Sequence, residues 1–467
     1  MTQTFFFYDL ETSGFNSRTA RIMQFAGQRT TLELEPIGEP CDVLIELTGD
    51  ILPDPDAILV TGITPQRTRA EGLTEKQFLE MFHDEIATPG TIFVGFNSIR
   101  FDDEFMRALH YRNLYDPYEW QWKDGRSKWD LLDVVRMTRA LRPNGIQWPF
   151  SPDGKPANRL ELIAAVNNLE HTHAHNALSD VVASIEVAKL VYEQQPKLFN
   201  YLLEMREKPK IKQFVGSGAP FVYTSGRYSS KYEKTTVVVS LGDLPDNSGC
   251  IVYDLRIDPA LWLSEHVSPE SSEYNPLKTM KFNHCPAIAP LSVLDKDSWK
   301  RIGLTSEVVK KHLLQAQELK NELLATHEIK TPISTLPMLE LPLEEVDARI
   351  YDGFYGDKDR RTCARIRSMT TEELIEFEPE FDDVRLPGLY FLYKARQLPK
   401  SQLADDRIKW EQYVERQLLE GGDSSRYELF MKRLQELAKL EYLDADKRYI
   451  LEELALYAQS AVPLQSY

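Results

Sequence analysis

The segment TFFFYDLET, residues 4–12, constrains the fold more than any other part of the chain. Its aromatic and branched residues predict a buried β-strand, because such side chains fit a pleated surface. Asp9 and Glu11 are two positions apart, so on a strand both carboxylates lie on one face. Carboxylates this close repel each other unless a cation lies between them, and carboxylate oxygens suit Mg²⁺ or Mn²⁺. The alternative is an acidic pair on a solvent-exposed strand face.

Two further acidic positions follow the same logic. In FNSIRFDDEF, Asp102 comes after a predicted strand and at the start of a predicted helix, where it or Asp103 could instead cap the helix. In HAHNALSDVV, Asp180 lies in the first turn of a helix, where a contact with the helix dipole is the competing explanation. His175 precedes it by five residues and belongs to an H-x-H-x-H tract, which is more typical of a polar loop than of a zinc site.

The chain divides into three regions by pattern. Residues 1–195 alternate strand-like and helical segments, which predicts a mixed sheet flanked by helices. Residues 196–349 contain three strand-like stretches and predict a small β-rich domain, whose entry segment, 205–235, carries seven basic residues against two acidic ones. Three prolines in 328–343 predict a linker, and residues 350–467 are helical and highly charged. The predicted fold class is therefore α+β.

Composition limits the classes of function. The net charge of −17 argues against non-specific binding of nucleic acid or anionic lipid, so a polyanion would have to contact a restricted surface. The four cysteines lack metal-site spacing, and no apolar run is long enough to span a bilayer. The N-terminus has no signal-peptide pattern. We therefore expect a cytoplasmic protein without a membrane partner.

Taken together, the acidic motifs have a recognisable order: Asp-x-Glu on the first strand, Phe-Asp after a middle strand, and His-x4-Asp near a late helix. This order resembles that of the DEDDh exonucleases of the ribonuclease H-like superfamily. Within that group the chain resembles the bacterial exodeoxyribonuclease I family through stretches such as LVTGITPQ, WDLLDVVRMTRALRPNGIQWP and DGFYGDKDRR. The resemblance implies a ribonuclease H-like domain, an SH3-like β domain and an α-helical C-terminal domain.

The resemblance also implies roles for individual residues. Asp9, Glu11, Asp102 and Asp180 would hold two Mg²⁺ ions, with Mn²⁺ as a substitute, and His175 would be the general base. The chain would hydrolyse single-stranded DNA processively from its 3′ end to 5′-mononucleotides, in DNA repair and recombination. Substrate contacts would come from Glu11, Thr12, Arg107, Tyr118, Trp122, Arg136 and Arg159. Considered alone, each arginine could be an ordinary surface residue, and Tyr118, Trp120 and Trp122 could form a core strand.

Partners and alternatives follow from the same comparison. The family implies a monomer that binds the acidic C-terminal tail of single-stranded DNA-binding protein. The arginines of DKDRRTCARIR have the right charge for that tail, but a solvated helix face is the simpler interpretation. An RNA-trimming or proofreading exonuclease is the alternative enzyme, and it would not need the two trailing domains. A non-catalytic nucleic-acid-binding scaffold is the alternative from another class, which the complete set of acids disfavours.

Overall fold

A computed structural model describes residues 3–169, 176–265, 274–326, 343–403, 406–440 and 443–463. Its first sheet has the order β3-β2-β1-β4-β5. The strands are β1 (Thr4–Thr12), β2 (Ile22–Thr30), β3 (Pro36–Leu44), β4 (Thr91–Gly95) and β5 (Ser127–Asp130). β1 pairs antiparallel with β2 and parallel with β4, so the sheet is mixed, as predicted.

Helices cover both faces of this sheet. The helices of this part of the chain are α1 (Pro55–Thr61), α2 (Pro65–Glu71), α3 (Glu75–Met81), α4 (Asp102–Arg112), α5 (Leu131–Leu141), α6 (Leu160–Val166), α7 (Ala177–Gln194), α8 (Pro196–Glu204) and α9 (Lys208–Val215), of which α9 packs instead with strands of the following region. Phe5 and Phe7 of β1 pack with residues of α5 and α7, whereas Phe6 and Tyr8 pack against α3 and α4. Because side chains alternate along a strand, Asp9 and Glu11 face the same side as Phe5 and Phe7, towards α7.

In the described part of the middle region, a second sheet is antiparallel throughout, in the order β10-β6-β7-β8-β9. Its strands are β6 (Phe221–Thr224), β7 (Thr235–Asp243), β8 (Gly249–Asp254), β9 (Leu277–Lys281) and β10 (Ala287–Pro290). The accompanying helices are α10 (Pro259–Glu265), α11 (Lys296–Arg301), α12 (Ser306–Glu318) and α13 (Lys320–Ala325). The predicted β-rich region is confirmed, and its basic entry segment contains α9.

The last region is helical, as predicted. Its helices are α14 (Leu343–Val346), α15 (Asp357–Arg367), α16 (Thr371–Glu376), α17 (Leu386–Gln397), α18 (Asp406–Leu419), α19 (Arg426–Ala438) and α20 (Ala445–Ala461). α19 and α20 share an apolar cluster with Met23, Ile58 and Ile63 of the first region. The predicted linker lies almost wholly outside the described residues. Among the described helices, none is long and apolar enough to cross a membrane.

Candidate functional site

Three acidic side chains meet where β1 faces the start of α7. One carboxylate oxygen from each of Asp9, Glu11 and Asp180 lies within 4.8 Å of the others. β1 supplies the first two at alternate positions. Asn176 caps α7 by accepting a hydrogen bond from the Ser179 amide, and this begins the helix so that Asp180 falls in its first turn. The convergence follows directly from the strand period and the helix start.

Asp102 approaches the same site from another direction. It is the first residue of α4, directly after Phe101, and its exposed fraction is 4%. It does not cap the helix, because Phe101 occupies the cap position. Asp102 lies outside the group of three, but its charge still acts on Asp9. Its neighbour Asp103 has a structural role and accepts hydrogen bonds from Tyr8 and Lys128.

The electrostatics of the site favour a cation. Burial, followed by the charges of Asp102, Asp180 and Glu11, raises the pKa of Asp9 well above its usual range. Burial and the Asp180 charge raise the pKa of Glu11 to about 7. A divalent ion among these oxygens would reverse the repulsion, and an all-carboxylate donor set suits Mg²⁺ or Mn²⁺ better than a soft metal. The residues therefore fit the expected metal.

A cavity of about 440 Å³ opens beside the acids. Asp9 and Asp180 line it together with three cationic side chains, Arg136, Arg159 and Lys234. Arg136 is bound to Asp133 at 2.6 Å, while Arg159 is largely exposed and 3.3 Å from Glu161. Cationic side chains beside an acidic, metal-binding centre are suited to bind the phosphate of a phosphodiester.

The cavity also contains polar residues that the sequence did not single out. Asn97 and Asn158 line it. Asn97 has a left-handed backbone, with φ of 73°, two residues after the end of β4, and such strand ends are frequent functional positions. Asn158 directly precedes Arg159, which is the only local signal that it carried.

Arg107 and Tyr118, which were predicted to contact the substrate, contact each other within the protein. Arg107 has an exposed fraction of 4%, and its guanidinium is bound by Glu104, by Asp103 at 3.6 Å and by Gln121 at 3.1 Å. The same guanidinium lies over the ring of Tyr118, 5.6 Å from its centroid. In this arrangement the Arg107 guanidinium packs against the Tyr118 ring. Its contact with a phosphate of the substrate stays a prediction.

Residues 118–122 are not extended, so they do not form the core strand that the sequence left open as an alternative. A 3₁₀ turn over Glu119–Gln121 separates Tyr118 from Trp122. Trp120 is fully buried, whereas Trp122 is 60% exposed, so Trp120 and Trp122 do not share a face. Trp122 remains available to stack on a base. Phe354 of the C-terminal region, which the sequence did not indicate, packs 5.7 Å from Tyr118 and is 73% exposed.

The two remaining predicted site residues differ in what can be described. Thr12 ends β1, is buried, and donates its hydroxyl to the Gly14 carbonyl at 2.8 Å. His175, with His171 and His173, falls in 170–175, which lies outside the described residues. Its role as a general base therefore stays a prediction.

Comparison with known proteins identifies the family. Residues 6–188 match a family of exonucleases, residues 206–330 match the exonuclease I SH3-like domain, and residues 344–461 match the exonuclease I C-terminal domain. Exodeoxyribonuclease I of Haemophilus influenzae is 36% identical over 97% of this chain and 98% of its own length. The chain belongs to the exodeoxyribonuclease I family. The resemblance read from the acidic motifs is thereby confirmed.

Solved structures of exonuclease I agree with this assignment. The moderately thermophilic exonuclease I from Methylocaldum szegediense is 38% identical, with a TM-score of 0.88 over 99% of this chain and all of that chain. Escherichia coli exonuclease I in complex with a dA16 oligonucleotide is 33% identical, with a TM-score of 0.87 over 98% of this chain and all of that one. A structure of SSB and exonuclease I with an inhibitor has a TM-score of 0.86 at 33% identity, over 99% of this chain and all of that one.

Proposed function

We propose that this member of the exodeoxyribonuclease I family hydrolyses single-stranded DNA processively from the 3′ end and releases 5′-mononucleotides. The observation that carries the proposal is the convergence of Asp9, Glu11 and Asp180 beside a cavity walled by Arg136 and Arg159. The relative solved with a dA16 oligonucleotide supports a single-stranded DNA substrate.

Different residues of the chain would perform different parts of the reaction. Two divalent ions, held by Asp9, Glu11, Asp102 and Asp180, would supply charge neutralisation at the phosphate and an activated water. Arg136 and Arg159 would bind and orient the phosphates of the strand end. His175 would accept the proton of the attacking water, a role for which an imidazole side chain is suited at neutral pH.

One substitution tests the metal assignment. Asp180→Ala should abolish Mg²⁺-dependent cleavage, because it removes one of the three clustered carboxylates, while the fold is retained. Asp153→Ala, on an exposed loop, is the matched control and should cleave like the wild type. Near wild-type turnover of Asp180→Ala would contradict the assignment.

His175 requires a separate test, since it acts on the proton rather than on the metal. His175→Ala should lose most of its turnover, on the order of 10²–10⁴-fold, while it still binds single-stranded DNA. Turnover that is unchanged in this variant would remove His175 from the mechanism.

The alternative enzyme, an RNA-trimming exonuclease, is distinguished by substrate. Purified protein with Mg²⁺ would be given end-labelled single-stranded DNA, double-stranded DNA and RNA, each with a free or a blocked 3′ terminus. We expect rapid loss of single-stranded DNA with a free 3′ end only. Faster cleavage of RNA, or cleavage of the blocked strand, would overturn the proposal.

The acidic C-terminal tail of single-stranded DNA-binding protein is the proposed partner, on the basis of the related complex. A labelled acidic tail peptide should bind the monomeric protein, and binding should weaken with salt because the contact is electrostatic. A peptide with its acidic residues replaced by amides is the matched control. Equal binding of both peptides would argue against this partner.

A further inference from the structure

The hairpin that carries the acidic strand is linked to the C-terminal helices through a buried arginine. Arg21 lies immediately before β2, and its side chain is 1% exposed. Its guanidinium binds Asp347, directly after α14, with 2.9 Å between Nη2 and Oδ2. The two residues are 326 positions apart, so this contact joins the first and last regions of the chain.

Arg21 belongs to a larger buried ionic network. Arg396 of α17 binds both Asp347 and Asp50 at 2.7 Å, and Arg112 binds Glu75 at 2.9 Å. The Arg21 network comprises Arg21, Asp50, Glu75, Arg112, Asp347 and Arg396. Its three positive and three negative charges balance. Removal of one member leaves a buried charge without its partner, which is strongly unfavourable.

The main chain of Arg21 closes the loop that follows the acidic strand. The Ser13 amide donates to the Arg21 carbonyl, and the Arg21 amide donates to the Ser13 hydroxyl, both at 2.8 Å. These two bonds form the base of residues 13–20, the β1–β2 loop, which begins two positions after Glu11. A displacement of Arg21 therefore displaces the start of this loop.

The outer part of the β1–β2 loop has little packing of its own. Among the described residues, Phe15 is the most exposed of the large apolar side chains, at 78%. It borders a cleft of about 520 Å³ between the loop and α19. The loop has two further contacts: the Asp54 amide donates to the Ser13 carbonyl at 2.7 Å, and the Arg18 guanidinium lies 5.5 Å from the centroid of the Tyr351 ring. The bonds at its base are therefore one of the few restraints on its position. Phe15 follows Glu11 by four positions in the chain, and an exposed aromatic ring is suited to stack on a base of a single strand.

We propose that Arg21 is a positioning residue through which the C-terminal helices, by way of Asp347, hold the β1–β2 loop and Phe15 against the substrate. The inference rests on the proposed function for the substrate that Phe15 contacts. The mechanical link from Asp347 to the loop is independent of catalysis.

The first experiment measures that link without any activity. Hydrogen exchange of segment 12–22 would be compared in the wild type, in Asp347→Asn and in Arg367→Gln. Arg367 is the matched control, because it also joins the C-terminal region to the first region, by donating to the Leu114 carbonyl, but it contacts no member of the network. Exchange should be about 10-fold or more faster in Asp347→Asn only. If that variant does not fold, Arg21→Lys serves in its place with the same expectation.

The second experiment asks whether the link reaches the substrate. Phe15→Ala and Asp347→Asn should each raise KM for a short single strand about 5-fold or more, the low end of what aromatic stacking contributes, with kcat changed much less. The two increases in KM should not multiply in the double variant, because both substitutions act through the Phe15 ring. Unchanged exchange in Asp347→Asn, an unchanged KM in Phe15→Ala, or multiplied effects would each overturn the proposal. Complete absence of nuclease activity with altered exchange would refute the proposed function alone.

Discussion

Glu11→Gln should make the metal-free protein more stable while it impairs catalysis. In the absence of a cation, burial and the Asp180 charge raise the pKa of Glu11 from 4.5 to about 7. An acid whose pKa is raised on folding binds more protons in the folded state between those two values. Stability therefore falls as the pH rises from about 4.5 to 7, and the full penalty persists above 7.

The pKa shift sets the size of this penalty. Raising the pKa from 4.5 to about 7 corresponds to roughly 3.4 kcal/mol, at about 1.36 kcal/mol for each pH unit. Burial is the larger cause of the shift, and the charge of Asp180, which has a carboxylate oxygen within 4.8 Å, is the second. Glu11 is partly exposed, so solvent screening reduces the expected gain to about 2 kcal/mol. For a cooperative unit of about 150–250 residues, the size of the first region, this corresponds to an increase of about 4–8 °C in the unfolding midpoint.

The assay is thermal unfolding in EDTA at pH 5 and pH 8. The midpoint of Glu11→Gln should exceed that of the wild type clearly at pH 8 and only slightly at pH 5. Added Mg²⁺ should raise the wild-type midpoint more than that of the variant. Glu35→Gln, on an exposed turn, is the control and should follow the wild type. A Glu11→Gln protein that is less stable than the wild type at pH 8 in EDTA would refute the reasoning.

Three further outcomes follow from particular contacts. Trp122→Ala should weaken single-stranded DNA binding by about 1–3 kcal/mol without lowering the unfolding midpoint, because an exposed ring is removed, and an unchanged Kd would exclude stacking. Arg136→Gln should lower kcat/KM about 10-fold or more, as expected when a charged hydrogen bond to phosphate is lost, whereas Arg142→Gln, outside the cavity, should not. Burial alone would raise the pKa of Asp50, but Arg396 and Arg21 outweigh burial and hold that pKa below its usual range. The stability from this depressed pKa is present above about pH 4 and lost below it, so the unfolding midpoint should fall steeply between pH 4 and 3, and a flat profile would contradict the network.

The acidic cluster was predictable because each of its parts depends on a local period. Asp9 and Glu11 share a face through the two-residue period of a strand. Asp180 falls in a first helical turn that Asn176 sets. The strand-like and helical segments of residues 1–195 likewise reflect periodic apolar patterns, and the structure confirms the mixed sheet that they predict.

The features that the sequence did not reveal depend on tertiary packing. Trp120 and Trp122 have equal apolar character, and only the 3₁₀ turn between them decides that one is buried and the other exposed. Arg107 is positioned as a surface-like helical arginine, yet Asp103, Glu104 and Tyr118 enclose it. Local pattern carries no information about such distant partners.

The net charge of the chain likewise does not show where its charged side chains lie in the structure. A chain of net charge −17 repels a polyanion at long range, yet three cationic side chains line the cavity at Asp9. Arg136 belongs to α5, Arg159 directly precedes α6, and Lys234 directly precedes β7. Arg136 and Arg159 come from the first region, and Lys234, next to the second sheet, joins them at this cavity. The repulsion elsewhere favours binding at this surface, where cationic side chains and metal ligands coincide, which is the arrangement an exonuclease specific for a strand end requires.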